Sequence, residues 1–224
     1  MNTKKPYIFF GDKSSGIIPA QVKARPFFYP ATRPVVLQHQ VHGNKGQHIK
    51  GVSEASTSLT VDGDYLITQE RGVGIGVLTA DCLPIVFYDP KHEAVGIAHA
   101  GWQGTTKEIA TKVVDHMHRA FGSERKDLLV FFGPSARPCC YEVSDDFIDQ
   151  LPHKKIALRA VSKKGKQHFF DLSSYNQDLL GSVGISTAQI NLSDNVCTIC
   201  HESFCSYRRD NGSPIRQISI VGLY

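Results

Sequence analysis

Two residues in one apolar part of the chain, Cys82 and His99, have side chains that can do chemistry. Cys82 follows Asp81 between two apolar runs, and His99 ends the next run, just before Ala100-Gly101-Trp102. A thiol and an imidazole at the ends of buried strands can bind a metal ion or act together as nucleophile and base. The plain alternative is a buried cysteine and a core histidine bonded to a backbone carbonyl.

A third donor is needed for a metal site, and His42 is the best placed. It lies where the predicted strand 34–41 runs into the turn at Gly43-Asn44. One cysteine and two histidines would give zinc three protein ligands and leave the fourth position to water, as in catalytic rather than structural sites. Asp81, beside Cys82, is either an acid or base next to the metal or the cap of a turn.

The segment Cys197-Thr198-Ile199-Cys200 is a CxxC, with His201 and Cys205 nearby. These residues would make a structural zinc site, but His201 directly follows Cys200, which makes simultaneous ligation difficult. Buried thiols are therefore the favoured interpretation. A redox dithiol is disfavoured because no thioredoxin-like βαβ unit precedes the motif.

One known type of zinc site does not match. Zinc nucleobase deaminases combine His-x-Glu with a later Pro-Cys-x-x-Cys. Here His99 is followed by Ala100-Gly101, and Val196 precedes the CxxC. That deaminase family is excluded, although deamination by another route is not.

Arg208 and Arg209 precede Asp210 near the end of the chain. Because a guanidinium group matches the geometry of phosphate, this pair is a candidate anion site. An exposed, charged hairpin end is an equally good interpretation.

The elements that must position these residues are mainly strands. Val- and Ile-rich runs, apolar on both faces, predict a central sheet covered on both sides. The predicted strands are 7–10, 34–41, 65–68, 72–78, 84–88, 94–98, 128–132, 189–192 and 215–221, with a hairpin formed by 156–161 and 167–171. Residues 11–30 and 46–60 are predicted to be irregular.

Three helices are predicted. Thr105 to Glu108 fits a capping box that would begin a helix ending at Gly122. The other two cover 144–151, capped by Ser144, and 173–180. No repeat or linker is evident, so one domain spanning 1–224 is the simplest organisation.

The composition is that of a soluble globular protein. The 224 residues are 41% hydrophobic and 21% charged, with a net charge of +4. The basic residues are scattered, which argues against nucleic acid as a partner. No run is long enough to cross a membrane or to form a signal-peptide core. A cytoplasmic location with six reduced cysteines is therefore expected.

Five motifs in order resemble a known family. They are Gln40-Val41-His42-Gly43, Thr79-Ala80-Asp81-Cys82-Leu83-Pro84, His99-Ala100-Gly101-Trp102, Cys139-Cys140-Tyr141-Glu142, and Cys197 through Asp210. The chain resembles the YfiH-like or laccase-domain family, the multicopper polyphenol oxidoreductases whose members are also described as purine nucleoside phosphorylases. The similarity covers nearly the whole chain, except for the part before Val35.

The resemblance implies an α+β fold, a layered α/β/β/α sandwich with mixed central sheets. It also implies a metal site of His42, Cys82 and His99 that holds zinc, with copper as the alternative. The implied activities are phosphorolysis of adenosine, inosine or methylthioadenosine and deamination of adenosine. Purine nucleoside and phosphate are then the expected small-molecule partners, and a monomer is the default.

In this hypothesis Cys82 is a metal ligand or, without metal, a nucleophile activated by His99. Gln40 and Asp81 would orient the site, and Arg209, with Arg208 as the second candidate, would position an anion. Some bacterial relatives resemble amidases that edit peptidoglycan precursors, so a cysteine-type amidase is the alternative. Polyphenol oxidation with copper fits less well, because the chain lacks the set of paired histidines that laccases use.

Overall fold

The computed structural model describes residues 5–22, 34–51 and 61–224. The strands are β1 Tyr7–Phe10, β2 Val35–Val36, β3 Gly46–Ile49, β4 Tyr65–Thr68, β5 Gly74–Thr79, β6 Leu83–Asp89, β7 Ala94–Ala100, β8 Leu129–Phe132, β9 Glu142–Val143, β10 Val161–Lys164, β11 Gln167–Phe170, β12 Ile190–Asn191 and β13 Gln217–Gly222. The helices are α1 Pro19–Val22, α2 Trp102–Thr106, α3 Ile109–Phe121, α4 Asp145–Asp149, α5 Lys154–Ala160 and α6 Leu172–Ser182. None of these helices has the length and apolarity needed to cross a membrane.

A six-stranded mixed sheet in the order β12-β8-β6-β7-β4-β3 forms the centre of the fold. Its side chains alternate between two cores, as the period of a strand requires. In β6, Leu83, Ile85 and Phe87 belong to one core, and Val86 and Tyr88 belong to the other. The prediction that these strands are covered on both faces is confirmed.

The second sheet has four strands in the order β1-β13-β5-β2 and packs on one face of the first. Ile75 and Val77 of β5 share a core with Val95 and Ile97 of β7. The chain therefore passes from one sheet to the other between β5 and β6, and Cys82 lies in that crossover. A third, small sheet of β10-β11-β9 is hydrogen-bonded to neither of these, and Phe170 of β11 packs in the core shared with the six-stranded sheet.

Helices cover the outer faces of both sheets. On the six-stranded sheet, Ile109, Val113 and Met117 of α3 are fully buried in the same core as Tyr175 of α6. On the four-stranded sheet, Val22 of α1 packs with strand residues of that sheet. The predicted α+β sandwich with mixed sheets is confirmed.

The predicted capping box at Thr105 to Glu108 is wrong. Thr105 lies inside α2 and is fully buried, and its Oγ1 accepts a hydrogen bond of 2.9 Å from Asn176. Glu108 precedes α3 with a left-handed φ of 62° and forms a 2.8 Å ion pair with His153. Partners distant in sequence have replaced the local cap. Gly122 ends α3 as predicted, with a φ of 74°.

Several predicted boundaries were also wrong. Residues 156–160, predicted as strand, belong to helix α5, because Ala157 and Ala160 bury one helical face. The strand predicted for 34–41 is reduced to β2, and the irregular regions contain α1 and β3, which pairs with β4. Parts of those predicted loops, 23–30 and 52–60, lie outside the described residues. The Ser144 cap of α4 is confirmed.

Candidate active site

His42, Cys82 and His99 lie together, with their donor atoms all within 4.8 Å of one another. We call them the three-donor cluster. His99 is near the end of β7 and only 3% exposed, Cys82 is in the crossover to β6, and His42 is in the loop after β2. The imidazole rings of the two histidines are 4.8 Å apart and nearly perpendicular. The three residues singled out from the sequence thus share one site.

Asp64, directly before β4, orients His99. Its Oδ1 lies 2.9 Å from Nδ1 of His99, which leaves Nε2 of that ring for Cys82 or a metal ion. The Asp64 side chain is completely buried. Burial works to raise its pKa, but the hydrogen bonds from His99 and from the Gly43 amide outweigh this, so the pKa is lowered. Asp64 therefore remains a carboxylate that fixes the ring.

The same carboxylate fixes the loop that carries His42. It accepts hydrogen bonds from the backbone amides of His42 at 3.0 Å and Gly43 at 2.6 Å. His42 itself has a left-handed φ of 57°, an uncommon conformation for a residue with a side chain. One buried carboxylate thus positions two members of the three-donor cluster.

Gln40 also anchors this loop. Its side-chain amide donates to the carbonyl of Leu78 and accepts from the amide of Leu78, both at 2.7 Å. The side chain therefore completes the hydrogen bonding at the end of β5, where the crossover to Cys82 begins. In the described structure Gln40 bonds to the protein backbone.

Asp81 holds the crossover in place. Its Oδ1 accepts a hydrogen bond of 2.7 Å from the Thr198 hydroxyl, and its Oδ2 accepts one of 2.7 Å from the Arg208 amide. Like His42, it has a positive φ, here 80°. Positive φ at residues other than glycine is found at functional sites where the surroundings hold the backbone. Asp81 links Cys82 to the segment containing Thr198 and Arg208.

Cys82 and His99 influence each other's ionisation. Burial acts to raise the pKa of Cys82, but the charge of His99 and hydrogen bonds to His42 and His99 lower it to about 6. Burial acts to lower the pKa of His99, but Cys82 and Asp64 raise it to about 9. In this environment the thiolate is the stable form, and a thiolate is both a metal ligand and a nucleophile.

A pocket of about 470 Å³ lies beside the three-donor cluster. Its lining residues are Trp102, Tyr141, Glu142, Val143, Ser144, Phe147 and Arg208. Trp102 follows Gly101, where an added Cβ would be only 2.9 Å from Sγ of Cys82. Burial raises the pKa of Tyr141, and the negative charge of Cys82 raises it further. Tyr141, a residue of the pocket wall, is therefore near Cys82. The size is that of a small-molecule site.

Arg208 faces this pocket. Its guanidinium carbon lies 5.1 Å from the centre of the Tyr141 ring, within cation–π range, and its Nη1 donates to the carbonyl of Glu142 at 2.5 Å. One arginine predicted from the sequence therefore lies at the pocket wall.

Arg209 has a different environment. It donates to the carbonyls of Thr198 at 2.6 Å, His201 at 3.1 Å and Phe204 at 2.7 Å, and it forms an ion pair with Asp210. All three nitrogens of its guanidinium group are engaged by the protein. Arg209 therefore organises the segment between Thr198 and Asp210.

The three-donor cluster has the chemistry of a metal site. Two imidazoles and a thiolate are ligands that zinc accepts, and a histidine held by a carboxylate is typical of such sites. Gly101 lies directly against the cluster: an added Cβ would be 2.9 Å from Sγ of Cys82 and 3.3 Å from the His42 ring, so the lack of a side chain lets the backbone come this close. The residues present fit a metal with one open position.

A blue-copper arrangement has less support. Such sites add a weak axial ligand, usually methionine, to one cysteine and two histidines. Met117 is fully buried in the core between α3 and the six-stranded sheet. Met1 lies outside the described residues.

Sequence analysis did not identify Asp64 or Thr198 as site residues. Asp64 ends the segment Asp62-Gly63-Asp64, in which the sequence indicates only a turn before β4. A buried acid between a glycine and an apolar strand was the available signal. For Thr198 there was none, because its partner Asp81 lies 117 residues away.

The interpretation of Cys197 and Cys200 as buried thiols near His201 and Cys205 was wrong in two respects, the burial of Cys200 and the residues that lie beside the pair. Cys200 is exposed, not buried. Cys197 and Cys200 lie with Cys139 and Cys140, all four sulfurs within 4.8 Å of one another. Neither His201 nor Cys205 belongs to this group.

Comparison with known proteins places the chain in a family. Residues 19–224 match the family described as "Multi-copper polyphenol oxidoreductase laccase". The chain belongs to this family. The resemblance found in the sequence motifs is thereby confirmed for the laccase-domain family.

Relatives in the laccase-domain family carry enzyme names. The chain is 33% identical over 222 residues to "Purine nucleoside phosphorylase YlmD" of Bacillus subtilis, covering 95% of this chain and 79% of that protein. It is 37% identical over 151 residues to "Adenosine deaminase RL5" of an unknown prokaryotic organism, covering 65% of this chain and 56% of that one. The crystal structure of Bacillus licheniformis hypothetical protein YfiH has a TM-score of 0.75 at 34% identity, covering 85% of this chain and 74% of that one.

Proposed function

We propose that this protein is a metal-dependent enzyme that acts on purine nucleosides. Its reactions would be phosphorolysis of adenosine, inosine or methylthioadenosine and hydrolytic deamination of adenosine. The observation that carries the proposal is a three-donor cluster beside a pocket with aromatic walls and one arginine. The names of the Bacillus subtilis and RL5 relatives support the choice of substrate class.

His42, Cys82 and His99 would hold the metal, with zinc as the proposed ion and copper as the alternative. Bound zinc supplies a Lewis acid that polarises an oxygen or lowers the pKa of water. Asp64 keeps His99 oriented with Nε2 toward the cluster, and Gly101 lets the backbone lie close to Cys82 and His42. These residues fix the geometry before substrate arrives.

The pocket residues would bind the nucleoside. The rings of Trp102 and Phe147 are 5.3 Å apart, and Tyr141 lies on the same pocket wall. Aromatic faces stack well on a purine base. Arg208 would contact phosphate, because its guanidinium lies at the pocket and that of Arg209 is engaged by carbonyls. Gln40 and Asp81 would act by holding the His42 loop and the Cys82 crossover.

In the phosphorolysis reaction, a phosphate oxygen would form a bond to the ribose C1′ as the bond from C1′ to the base nitrogen breaks. The products are the free base and ribose 1-phosphate, or 5-methylthioribose 1-phosphate when methylthioadenosine is the substrate. In deamination, water would replace the amino group of adenosine, giving inosine and ammonia. Both reactions need a bound oxygen nucleophile next to the purine, which the neighbouring cluster and pocket would provide.

The test is incubation of the purified protein with adenosine, with and without phosphate, and chromatography of the products. Adenine with ribose 1-phosphate only when phosphate is present would establish the phosphorylase, and inosine in either buffer would establish the deaminase. No product from adenosine, inosine or methylthioadenosine, with the zinc-loaded protein, would overturn the proposal.

Arg208→Ala sharpens this test. We expect about a tenfold rise in the KM for phosphate, because one charge-assisted contact is lost. The backbone amide that Arg208 donates to Asp81 is retained in this variant. Arg159→Ala is the matched control, since Arg159 is an exposed arginine of α5. An equal KM for phosphate in both variants would show that Arg208 does not contact phosphate.

A cysteine-type amidase acting on a peptidoglycan precursor is the second candidate. The lowered pKa of Cys82 beside His99 favours it, because a thiolate next to an imidazolium is an activated nucleophile. The two candidates differ in their response to metal removal. Amidase activity that survives chelation and is lost on alkylation of Cys82 would support the second; nucleoside turnover that requires metal supports the first.

A further inference from the structure

Four cysteines from two distant segments meet outside the candidate active site. Cys139 and Cys140 lie in the loop between β8 and β9, and Cys197 and Cys200 lie in the segment after β12. All four sulfurs are within 4.8 Å of one another. Sγ of Cys200 is 3.4 Å from that of Cys139 and 2.8 Å from that of Cys140. We call these residues the four-cysteine cluster.

We propose that the four-cysteine cluster is a second metal site that binds one zinc ion through four thiolates. A tetrahedral zinc with bonds of ~2.3 Å places its sulfur ligands ~3.8 Å apart, close to the grouping of these atoms. Four thiolates fill the coordination shell and leave no position for water. The site would therefore be structural, unlike the three-donor cluster.

The backbone around Cys197 favours a thiolate ligand. The backbone amides of Cys200 and Arg137 donate hydrogen bonds to its sulfur. Such N–H···S bonds stabilise the negative charge that a zinc ligand carries. The amide donors come from both segments of the cluster.

The two segments are already aligned by backbone pairing. Cys197 forms a parallel bridge with Ser135, and the Thr198 amide donates to the Ser135 carbonyl at 3.0 Å. On the other side, the Cys140 amide donates to the Arg137 carbonyl at 3.0 Å in a tight turn. The thiols are thus brought together by a preformed frame, which reduces the entropy cost of binding an ion.

The position of the cluster indicates what the zinc would do. Cys140 directly precedes Tyr141 and Glu142 of the pocket wall. Cys197 directly precedes Thr198, whose hydroxyl holds Asp81 beside Cys82. An ion binding both segments would fix the pocket wall relative to the crossover. Its contribution to catalysis would pass through these positions and not through contact with substrate.

Disulfide chemistry is the competing interpretation. The pair Cys140 and Cys200 is the closest, but both are free thiols here, and a disulfide bond would be ~2.0 Å long. A dithiol switch needs two cysteines, whereas the structure brings four to one point. The convergence of all four is what a tetrahedral ion requires.

The test uses the full-length Cys82→Ala variant, in which the first site lacks its thiolate. We expect this variant to retain about one zinc per chain, with X-ray absorption showing four sulfur ligands at ~2.3 Å. Adding Cys200→Ser should release that zinc, whereas adding Cys205→Ala as the control should not. Cys205 is buried elsewhere in the fold, so its replacement leaves the cluster intact.

Two outcomes would overturn the proposal. One is a Cys82→Ala protein without zinc, purified in zinc-containing buffer, whose cluster thiols react freely with a thiol reagent. The other is an intact mass lower by two hydrogens, which would show a disulfide. Neither readout depends on nucleoside turnover, so this proposal and the proposed activity can fail separately. Because zinc content and X-ray absorption are measured on folded Cys82→Ala protein, misfolding of Cys200→Ser would not leave the question open.

Discussion

The two sulfur-containing clusters differ in donors, in support and in exposure. The three-donor cluster combines one thiol with two imidazoles, and a buried carboxylate, Asp64, orients it. The four-cysteine cluster contains only thiols and is aligned by backbone hydrogen bonds between two loops. One lies near a pocket lined by Trp102 and Tyr141, and the other has enough ligands to enclose an ion completely.

Under the two proposals above, the fold keeps catalytic chemistry and structural support at separate sites. An open coordination position next to a pocket suits catalysis, and a closed set of four ligands suits structure. In this chain the two are connected through Thr198, which follows Cys197 and bonds to Asp81. The predictions below test that division, beginning with the variant expected to have the largest effect.

The largest effect is expected for Cys82→Ala compared with Cys200→Ser. Cys82→Ala should lower kcat/KM about a thousandfold, about 4 kcal/mol of transition-state stabilisation, with little change in stability. Cys200→Ser should instead lower the free energy of unfolding by about 3 kcal/mol, as for a lost cross-link, and retain much of the activity. Nucleoside turnover and denaturant unfolding of both variants provide the measurement. If Cys200→Ser abolished kcat in a fully folded protein, the division would be wrong.

The sequence pattern was sufficient for the central strands and for two members of the three-donor cluster. Runs rich in Val and Ile predicted β5 to β7, and polar interruptions at their ends identified Cys82 and His99. Both signals are local. A strand buried on two faces leaves few alternatives for its polar ends, so the chemistry could be read from neighbours in the chain.

The remaining features depend on partners that are distant in the chain. Cys140 and Cys200 are separated by 60 positions, and only the packing of β12 beside β8 brings their loops together. The local capping pattern at Thr105 failed because Asn176, 71 positions away, bonds to its hydroxyl. Spacing in one sequence does not show such contacts, since they arise from the tertiary arrangement.

The next effect concerns the carboxylate behind the first cluster. Asp64→Asn should weaken zinc binding about 10- to 100-fold, because the charge that orients His99 is lost. Asp89→Asn is a close control. Asp89 is also a buried carboxylate that accepts from two backbone amides and lies 2.7 Å from a histidine ring, but it serves the turn after β6.

Competition titration with a chromophoric chelator would measure the affinity of both variants. We expect a change for Asp64→Asn and none for Asp89→Asn. Equal losses in the two variants would mean that general destabilisation, and not orientation of His99, governs metal binding.

A smaller effect is expected when a methyl group is added at Gly101, next to Cys82. In Gly101→Ala the new Cβ would lie 2.9 Å from Sγ of Cys82, so the sulfur must move. We expect about a tenfold loss of kcat/KM, since small displacements of reacting groups are costly. Gly181→Ala is the control, because no atom within 4 Å would meet its Cβ in α6. That variant should keep full activity and gain about 0.5–1 kcal/mol of stability.

The last prediction concerns the pH dependence of stability that Asp89 confers, and we expect it to have the smallest effect on the two clusters. Burial acts to raise the pKa of Asp89, but hydrogen bonds from the amides of Lys91 and His92 and from the His92 ring outweigh it and lower the pKa below the ordinary value of 3.8. The folded state therefore binds the proton less well than the unfolded state does. The resulting stability is fully present above pH ~4 and is lost as the pH falls through the folded pKa.

Asp89→Asn removes this titration. The variant should be less stable than the wild type near neutral pH by about 1–2 kcal/mol, the cost of losing charge-assisted bonds to the turn. The gap between the two proteins should narrow as the pH falls below about 4, because the unfolded wild type then takes up a proton that the folded Asp89 resists. Urea unfolding from pH 3 to 7 measures it. A difference in unfolding free energy that does not change with pH would show that the charge of Asp89 does not contribute to stability.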